Sequence, residues 1–410
     1  MTQQEALTIL KKETCNVFLT GAPGSGKSYL TNQYIDWLLE NGKDFAITAS
    51  TGIAALNITG KTLHSFMGVR DDNELDEEDI QDILENSRTL NRYQHTEVLI
   101  IDEISMVSAQ LLENLDIIAK TARNSKKPFG GIRVIAVGDF YQLPPVKGEY
   151  CFKSTAWENG AFMFCNLTEQ HRTNDTLFID ILAGIRSGVL ADEHKQHIRD
   201  RVTEDVSELK GVIRLDTHNA KVDQINDMKL SRLTTEPKTF VMSERGDEKY
   251  VAQLKKNCIS PERLTLKVGA RVIFTRNDKD QRWVNGTQGE VTKMKTNMVT
   301  VKILSNDRVV EVDIVDWEYA IGYGVRKTVK ASISQLPLRL AWAITIHKSQ
   351  GMTLDCAVID VSRVFATGQA YVAISRVRSL DGVYLQGKLT SGFLSVDESV
   401  KDFYARNNQS

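Results

Sequence analysis

The chain has 410 residues, too many for one hydrophobic core, so we expect two to four domains. Hydrophobic residues make up 41% and charged residues 25%, and the net charge of −2 excludes a global basic field as the means of holding nucleic acid. The apolar runs are too short to span a membrane and no signal peptide is visible, while five scattered cysteines without CxxC spacing favour a reducing cytosol over a disulfide framework or a zinc site.

The first motif along the chain is the glycine-rich stretch GAPGSGKS at 21–28, directly after the apolar run 16–20. It matches GxxxxGK[ST], and its place between a predicted strand and a predicted helix is the context that this pattern requires. The glycines let successive backbone N–H groups face one concavity, and the following helix adds its N-terminal dipole there. Lys27 would bind the β- and γ-phosphates and Ser28 would ligate Mg²⁺, so the sequence predicts a nucleoside triphosphate site.

Short apolar runs alternate with helical stretches along the first part of the chain, at 45–48, 98–101 and 134–137. Runs of this kind are typical of a parallel sheet that is covered on both faces. A second alternating region follows, in which we expect strands at 212–215, 271–275, 357–361 and 383–385. The pattern therefore predicts an α/β fold with two cores.

Two segments interrupt this alternation. Residues 71–87 carry nine acidic side chains and no basic one, with a weak helical period, and predict a small protruding helical excursion. Residues 288–316 show two-residue alternation with turn signals, which predicts a small antiparallel β module inserted in the second core.

Polar motifs follow two of the predicted strands of the first core. Asp102 and Glu103 come directly after 98–101, where Asp102 can hold the Mg²⁺ shell and Glu103 can orient and deprotonate an attacking water. Gln142, within GDFYQLPP at 138–145, can sense the γ-phosphate. These residues supply the second half of a hydrolysis site.

The motifs, taken in this order, resemble those of the Pif-one and RecD-like group of superfamily 1 DNA helicases, and the Pif-one branch most closely. The resemblance covers nearly the whole chain. One departure is Gln170-His171-Arg172, where the family more often has an aromatic residue before the arginine. The matching stretches are GAPGSGKS (21–28), TASTGIAA (48–55), KTLHSF (61–66), LIIDEISMV (99–107), VGDFYQLPPV (137–146), LTEQHRTND (167–175), VNGTQGEV (284–291), LAWAITIHKSQGMTLD (340–355) and GQAYVAISRV (368–377).

The resemblance implies an α/β fold of two RecA-like P-loop cores with parallel sheets, a small helical insertion in the first and a small SH3-like β insertion in the second. We expect the helical insertion to be a strand-separating wedge, as the family suggests. The implied boundaries are 1–68 and 96–176 for the first core, 69–95 for the helical insertion, 177–286 and 336–410 for the second core, and 287–335 for the β insertion.

The nucleotide site that the resemblance implies draws on both cores. Arg172 and Arg376 would be arginine fingers, which stabilise charge on the transferring phosphoryl group. Gln4 resembles the adenine-reading glutamine upstream of the phosphate loop, although a solvated N-terminal side chain remains an alternative. The implied catalytic residues are Lys27, Asp102, Glu103, Gln142, Arg172 and Arg376, and the implied nucleotide contacts are Gln4, Gly21, Ala22, Pro23, Gly24, Ser25, Gly26, Lys27, Ser28, Tyr29 and Gly351, with Ser28 and Asp102 as Mg²⁺ ligands.

A helicase tracks the DNA backbone, for which small hydroxyl and amide donors suit phosphate oxygens without fixing sequence. Phe66 can in addition stack on a base. The implied DNA-binding residues are Ser50, Thr51, Gly52, Thr62, His64, Phe66 and Pro144 on the first core and Thr217, Asn219, Asn285, Thr345, His347 and Lys348 on the second.

The function that the resemblance implies is ATP-dependent 5′→3′ translocation on single-stranded DNA with unwinding of duplex, in replication, repair and recombination. G-quadruplexes and RNA–DNA hybrids stay open as further substrates. The expected motor is a monomer acting at single-stranded DNA and at single/double-strand junctions, in the cytoplasm or nucleoid of a bacterium or in a phage. A P-loop ATPase that remodels protein, or one that tracks RNA, remains the alternative.

Overall fold

The structure is a computed structural model that describes residues 1–58, 60–203, 211–321, 328–363, 367–389 and 391–407. The chain divides into two compact units. The first unit consists of 1–174 together with 396–410, and the second consists of 175–395. The sequence of the second unit is therefore inserted into that of the first.

The first unit is built on one parallel sheet, to which its described residues contribute six strands. These are β1 (Val17–Gly21), β2 (Phe45–Ala49), β3 (Lys61–Thr62), β4 (Val98–Asp102), β5 (Arg133–Val137) and β6 (Met163–Leu167). They pair in the order β3-β2-β4-β5-β1-β6, every pair parallel. β1 and β2 are buried along their whole length, which is consistent with their largely apolar sequences. The strands predicted at 45–48, 98–101 and 134–137 are confirmed to within one residue.

Eight helices connect the strands in the described part of 1–174. The acidic excursion at 71–87 contains one of them, Glu77–Glu85, which begins at a capping box in which Asp76 and Asp79 each accept a hydrogen bond from the other's backbone N–H. Its Ile80 is buried in the core of the unit, so the excursion packs against the core while its acidic face meets solvent. The helices are α1 (Gln3–Lys12), α2 (Lys27–Glu40), α3 (Gly52–Asn57), α4 (Leu63–Met67), α5 (Glu77–Glu85), α6 (Ser87–His95), α7 (Ala109–Ala122) and α8 (Thr155–Gly160).

The second unit combines a parallel sheet with antiparallel ones. Its strands are β7 (Ile213–Asp216), β8 (Lys238–Val241), β9 (Ser243–Gly246), β10 (Arg263–Leu266), β11 (Arg271–Phe274), β12 (Gln288–Met294), β13 (Met298–Ile303), β14 (Val309–Asp313), β15 (Val315–Ile321), β16 (Thr328–Gln335), β17 (Leu338–Leu340), β18 (Ala343–Thr345), β19 (Ala357–Asp360) and β20 (Val383–Gln386). The parallel sheet has the order β18-β7-β19-β20. The antiparallel sheets, within the residues described, are β14-β13-β12-β11-β17, β15-β16-β9 and β10-β8.

One strand predicted in the parallel sheet of the second core lies in an antiparallel sheet instead. Residues 271–275 were expected in the parallel core, but β11 pairs antiparallel with β12 and β17. A short apolar run does not reveal which strands it pairs with, because buried parallel and antiparallel strands have similar apolar sequences. Phe274 stacks on Trp283 with ring centroids 4.5 Å apart, inside the antiparallel module. The β module therefore starts upstream of the expected boundary at 287.

The remaining helices are α9 (Thr176–Ser187), α10 (Asp192–Asp200), α11 (Asn219–Ser231), α12 (Glu248–Asn257), α13 (Gln369–Ile374) and α14 (Glu398–Asn407). The first five lie in the second unit, but α14 belongs to the first, contrary to the expectation that 336–410 is one segment of the second core. Its Tyr404 is buried among aromatic residues of the first unit, and Phe403 packs against that cluster. Helical periodicity marks a buried face without identifying the core that buries it.

Among the described residues, no helix is both long enough and apolar enough to cross a membrane.

Candidate functional site

Most of the predicted nucleotide residues lie at one edge of the sheet of the first unit. The phosphate loop follows β1, Asp102 ends β4, and the loop of Gln142 follows β5. β1 lies between β5 and β6, with Leu19 in register with both Val137 and Cys165. Because the carboxyl ends of parallel strands meet at the same edge, these loops converge there, which is where open α/β sheets bind ligands.

The phosphate loop has the backbone conformation that its glycines permit. Gly24 and Gly26 have φ of +91° and +86°, and Gly26 is the N-cap of α2. The Lys27 ammonium lies within the loop, donating to the carbonyl oxygens of Gly21 at 2.6 Å and Ala22 at 3.1 Å. Ser28 is exposed in the first turn of α2. Backbone N–H groups at this helix N-terminus, the ammonium and the hydroxyl together provide the donors that a phosphate group requires.

The two acidic residues after β4 are held in a constrained arrangement. Glu103 has a left-handed backbone, φ +53° and ψ +46°, which costs a residue with a side chain roughly 1–3 kcal/mol. Its N–H donates to Asp102 Oδ1 at 3.0 Å. Burial and the neighbouring Glu103 carboxylate raise the pKa of Asp102, and Lys27 opposes this only partly. A cation would relieve this excess negative charge.

The donor set at this edge fits magnesium. Asp102, Glu103 and Ser28 supply carboxylate and hydroxyl oxygens, the hard ligands that Mg²⁺ prefers, beside a loop shaped for phosphates. We therefore name Ser28 and Asp102 as the residues that would hold the ion.

Gln142 lies in a buried position. It is 5% exposed, and its backbone N–H donates to the carbonyl oxygen of Asp139 at 2.9 Å. The turn between Asp139 and Gln142 follows β5 at the edge that also carries the phosphate loop, so Gln142 has the location of a sensor.

The residue of α1 that reaches the phosphate loop is Gln3, whereas the assignment of Gln4 as the adenine-reading residue stays a prediction. Gln3 Nε2 donates to the Ser25 carbonyl at 3.1 Å, whereas Gln4 is exposed. Thr2 and Glu5 form a capping box that fixes the start of α1 and with it the direction of Gln3. Adjacent residues of a helix point about 100° apart. A sequence with two successive glutamines does not show which of the two side chains points towards the phosphate loop.

The stretch after β6 closes over the same loop. Glu169 Oε2 accepts from Gln3 N–H at 2.9 Å and lies 3.7 Å from His171 Nε2. His171 N–H donates to the Gly24 carbonyl at 2.9 Å, and a Cβ on Gly24 would lie 2.7 Å from Arg172 Cβ. Arg172 therefore lies beside the phosphate loop, and its role as an arginine finger stays a prediction.

The second predicted finger, Arg376, follows α13 in the second unit and is 3% exposed. Its guanidinium donates to the Val372 carbonyl at 3.0 Å and to Ser375 Oγ at 3.1 Å. Gly351, the other predicted nucleotide contact of this unit, is exposed in a left-handed turn with φ of +77°.

The predicted DNA contacts of the first unit cluster after β2 and β3. Ala49 pairs with Thr62, so the two strand ends are adjacent. Thr51 and Thr62 accept backbone hydrogen bonds at the starts of α3 and α4, each at 3.2 Å, and their hydroxyl protons remain available to a phosphate oxygen. Ser50 Oγ is buried and has no hydrogen-bond partner among the described residues. Gly52 is the first residue of α3, and Pro144 is half-buried in the loop after β5.

His64 is tied to the acidic excursion. Its Nε2 lies 2.5 Å from Asp72 Oδ1, and Asp72 Oδ2 accepts from Ser108 Oγ at 2.6 Å. The bond to His64 is the main cause of the lowered pKa of Asp72. The excursion thus fixes the orientation of a predicted DNA contact.

Phe66 belongs to the core, so the prediction that it stacks on a base is wrong here. It is fully buried, with its ring centroid 5.2 Å from that of Tyr93 and the Arg92 guanidinium 5.5 Å away. In the short helix α4, Leu63, Phe66 and Met67 share the inward face.

In the second unit, the structure brings together the loops after β7 and β18. Thr345 pairs with Asp216, and Ile346 N–H donates to the Asp216 carbonyl at 2.9 Å. Thr217 follows β7 and Asn219 begins α11, while His347 and half-buried Lys348 lie on the loop after β18. Thr345 itself is 3% exposed and accepts from Lys348 N–H at 3.3 Å, so it shapes the loop and does not face solvent.

Asn285 lies on a third loop of the second unit. A Cβ on the following Gly286, which has φ of +96°, would lie 2.7 Å from the Thr353 carbonyl oxygen, so this loop packs against the one that contains Gly351. Asn285 Oδ1 is buried and has no hydrogen-bond partner among the described residues.

Similarity to known proteins extends over both units. A family model described as PIF1-like helicase matches residues 3–196, and one described as DNA helicase Pif1, 2B domain matches 249–294. The ATP-dependent DNA helicase Pif1 of Bdellovibrio bacteriovorus is 37% identical over 406 residues, which is 98% of this chain and 90% of that protein. The crystal structure of Bacteroides sp Pif1 in complex with ADP-AlF4 has a TM-score of 0.86 at 30% identity, covering 99% of this chain and 96% of that one. The Bacteroides Pif1 structure in complex with ADP-AlF3 and ssDNA has a TM-score of 0.65 at 30% identity, covering 100% and 97%.

Gln3→Ala should weaken ATP binding by roughly 3- to 10-fold, the worth of one or two net hydrogen bonds, because it removes the amide that lies at the phosphate loop. Gln4→Ala is the matched control and should bind ATP as the unsubstituted chain does. Titration with a fluorescent ATP analogue measures both, and a larger effect of Gln4→Ala would restore the original assignment.

Proposed function

This chain belongs to the PIF1-like helicase family, and we propose that it is an ATP-dependent DNA helicase that couples ATP hydrolysis to movement along single-stranded DNA. One observation carries the proposal. The phosphate loop, the Asp102–Glu103 pair and the Ser50 and Thr62 positions all lie at the carboxyl edge of one parallel sheet. The relative named above as an ATP-dependent DNA helicase, and the Bacteroides Pif1 structure solved with ssDNA, support DNA as the substrate. The residues of the candidate site do not favour RNA or protein over DNA as the substrate.

Hydrolysis follows from the groups at the sheet edge. Lys27 and the backbone N–H groups of the loop bind the phosphates, and Glu103 takes the proton of the attacking water. Ser28 and Asp102 would hold magnesium, which would supply positive charge to offset that of the phosphates. Gln142 senses the γ-phosphate from the neighbouring loop, and Gln3 contacts the base of the nucleotide.

We assign the grip on DNA to the hydroxyl groups of Thr51 and Thr62 and to His64 in the first unit, and to Thr217 and Lys348 in the second. These groups are donors that suit phosphate oxygens, so affinity should depend on salt and little on sequence. The two units would act as RecA-like cores that alternate between open and closed states with ATP. By the same family inference, the substrates include single/double-strand junctions, the motor is a monomer, and it works in the bacterial or phage-infected cytoplasm.

Lys27→Ala should abolish DNA-stimulated ATP hydrolysis and leave binding of single-stranded DNA within about 2-fold, because different loops of the sheet edge carry the two tasks. Lys43→Ala is the matched control, since Lys43 is an exposed lysine of the same unit that pairs with Glu97 at 2.9 Å. Phosphate release and fluorescence anisotropy measure the two properties. A Lys27→Ala protein that kept most of its ATPase rate would refute the loop assignment.

Arg376→Ala should lower kcat by about 10³ with a smaller change in KM, as expected for a group whose contact tightens in the transition state. Arg376→Lys should restore little, since a point charge does not reproduce a planar fork of donors. Arg378→Ala is the control, because Arg378 is exposed and pairs with Asp355 at 3.1 Å. Because Arg376 is buried, thermal unfolding must accompany the kinetics. A raised KM with normal kcat would indicate ground-state binding instead.

Direction is expected to be 5′→3′, so a duplex with a 5′ single-stranded tail should be unwound and one with a 3′ tail should not. Two backbone-binding units hold a strand in one fixed polarity, and each cycle advances the same unit. Strand-separation assays on the two tailed duplexes decide the point. Efficient unwinding from the 3′ tail alone would contradict the direction while leaving the ATPase assignment intact.

A further inference from the structure

Tyr404, on the C-terminal helix α14, lies in the core of the first unit although the chain reaches it only after the whole of the second unit. It is 3% exposed, and its ring stacks on Tyr141 at 4.7 Å with an interplanar angle of 24°. The Tyr404 hydroxyl is therefore a buried polar group that needs partners.

Among the described residues, three groups lie within hydrogen-bonding distance of the hydroxyl. It donates to Asp139 Oδ1 at 3.1 Å, accepts from Phe140 N–H at 3.2 Å, and lies 2.8 Å from Thr20 Oγ1. A tyrosine hydroxyl has one proton to give and room for two to accept, so the Thr20 hydroxyl is the donor in the third bond. Thr20, Asp139 and Phe140 are all fully buried, which excludes water as a substitute partner from bulk solvent.

These partners are the bases of two functional loops. Thr20 immediately precedes Gly21, where the phosphate loop begins. Asp139 begins the turn that carries Gln142, since its carbonyl oxygen accepts from Gln142 N–H at 2.9 Å and its Oδ1 accepts from Tyr141 N–H at 3.2 Å. β1 and β5 are neighbouring strands, with Leu19 in register with Val137. The Tyr404 hydroxyl links the two segments of chain that directly follow this pair of residues.

We propose that Tyr404 is a positioning residue for ATP hydrolysis, whose hydroxyl fixes the spacing between the phosphate loop and the Gln142 loop. The inference rests on the proposed roles of Lys27 and Gln142. Correct spacing of groups on separate loops matters most in the transition state, where a misplacement of about 1 Å can cost 10²-fold in rate. The C-terminal helix thereby contributes to a set of loops of the first unit whose other proposed site residues, Lys27 and Gln142 among them, lie far earlier in the chain.

Tyr404→Phe is the test, because it keeps the ring and its stacking on Tyr141 and removes only the hydroxyl. We expect kcat of DNA-stimulated ATP hydrolysis to fall by about 10-fold or more, with KM for ATP and affinity for single-stranded DNA changed less than about 3-fold. Thr20→Val removes the hydroxyl of the other partner in the Thr20–Tyr404 contact, with little change of shape. It should likewise lower kcat while changing KM little. In the double variant the losses should not add fully, because both substitutions remove the Thr20–Tyr404 hydrogen bond.

Tyr93→Phe is the matched control. Tyr93 is buried in the same core, and its hydroxyl has no hydrogen-bond partner among the described residues, so its kinetics should match those of the unsubstituted chain. Assays are run well below the unfolding midpoint of each variant. Unchanged kcat in folded Tyr404→Phe and Thr20→Val, or a raised KM with normal kcat, would overturn the proposal. Lys27→Ala measured alongside separates the failures: if it is inactive while Tyr404→Phe is fully active, only the positioning role is wrong.

Discussion

Parallel pairing of the strands in the first unit forces the loops that follow them to leave from the same edge of the sheet. The order β3-β2-β4-β5-β1-β6 places the phosphate loop between the loops of β5 and β6, with the acidic pair one strand further along. The same edge continues to β2 and β3, which carry the candidate DNA contacts. Nucleotide and nucleic acid are thereby assigned to neighbouring loops of one rigid scaffold, the geometry from which coupling between them can arise.

Several groups of the site are held in an energetically unfavourable arrangement. Glu103 keeps a left-handed backbone, and burial beside it raises the pKa of Asp102. Lys27 turns its ammonium onto the carbonyl oxygens of its own loop. A bound metal–phosphate complex would relieve the unfavourable charge interactions at the site. A cation stabilises the carboxylates, and phosphates offer the ammonium better acceptors. The surrounding core, fully buried at Thr20 and Phe140, keeps these groups in place.

Local patterns in the sequence determined what could be predicted, and long-range packing determined what could not. The phosphate loop and the Asp102–Glu103 pair are contiguous motifs at strand ends, and the strands in front of them are apolar runs, so both were found. Gln3 was missed because one residue of helical rotation separates it from Gln4. Phe66 was misassigned because a five-residue helix gives too little period to reveal which face is buried.

The larger errors concern partners distant in sequence. β11 looks like any buried strand, and only its pairing with β12 and β17 shows that it belongs to the antiparallel module. α14 returns to the first unit because Tyr404 finds its hydrogen-bond partners there, more than 260 residues away along the chain. No local pattern contains that information.

The most direct test of shared use of the sheet edge is the coupling between nucleotide and DNA binding. Fluorescence anisotropy of a labelled oligothymidylate, titrated with the protein with and without ADP–aluminium fluoride, gives the coupling factor. The affinity for DNA should change by about 5-fold or more with the nucleotide analogue, and DNA should change the affinity for the analogue by the same factor, as linkage requires. Equal DNA affinity in both conditions would contradict a common edge that serves both ligands.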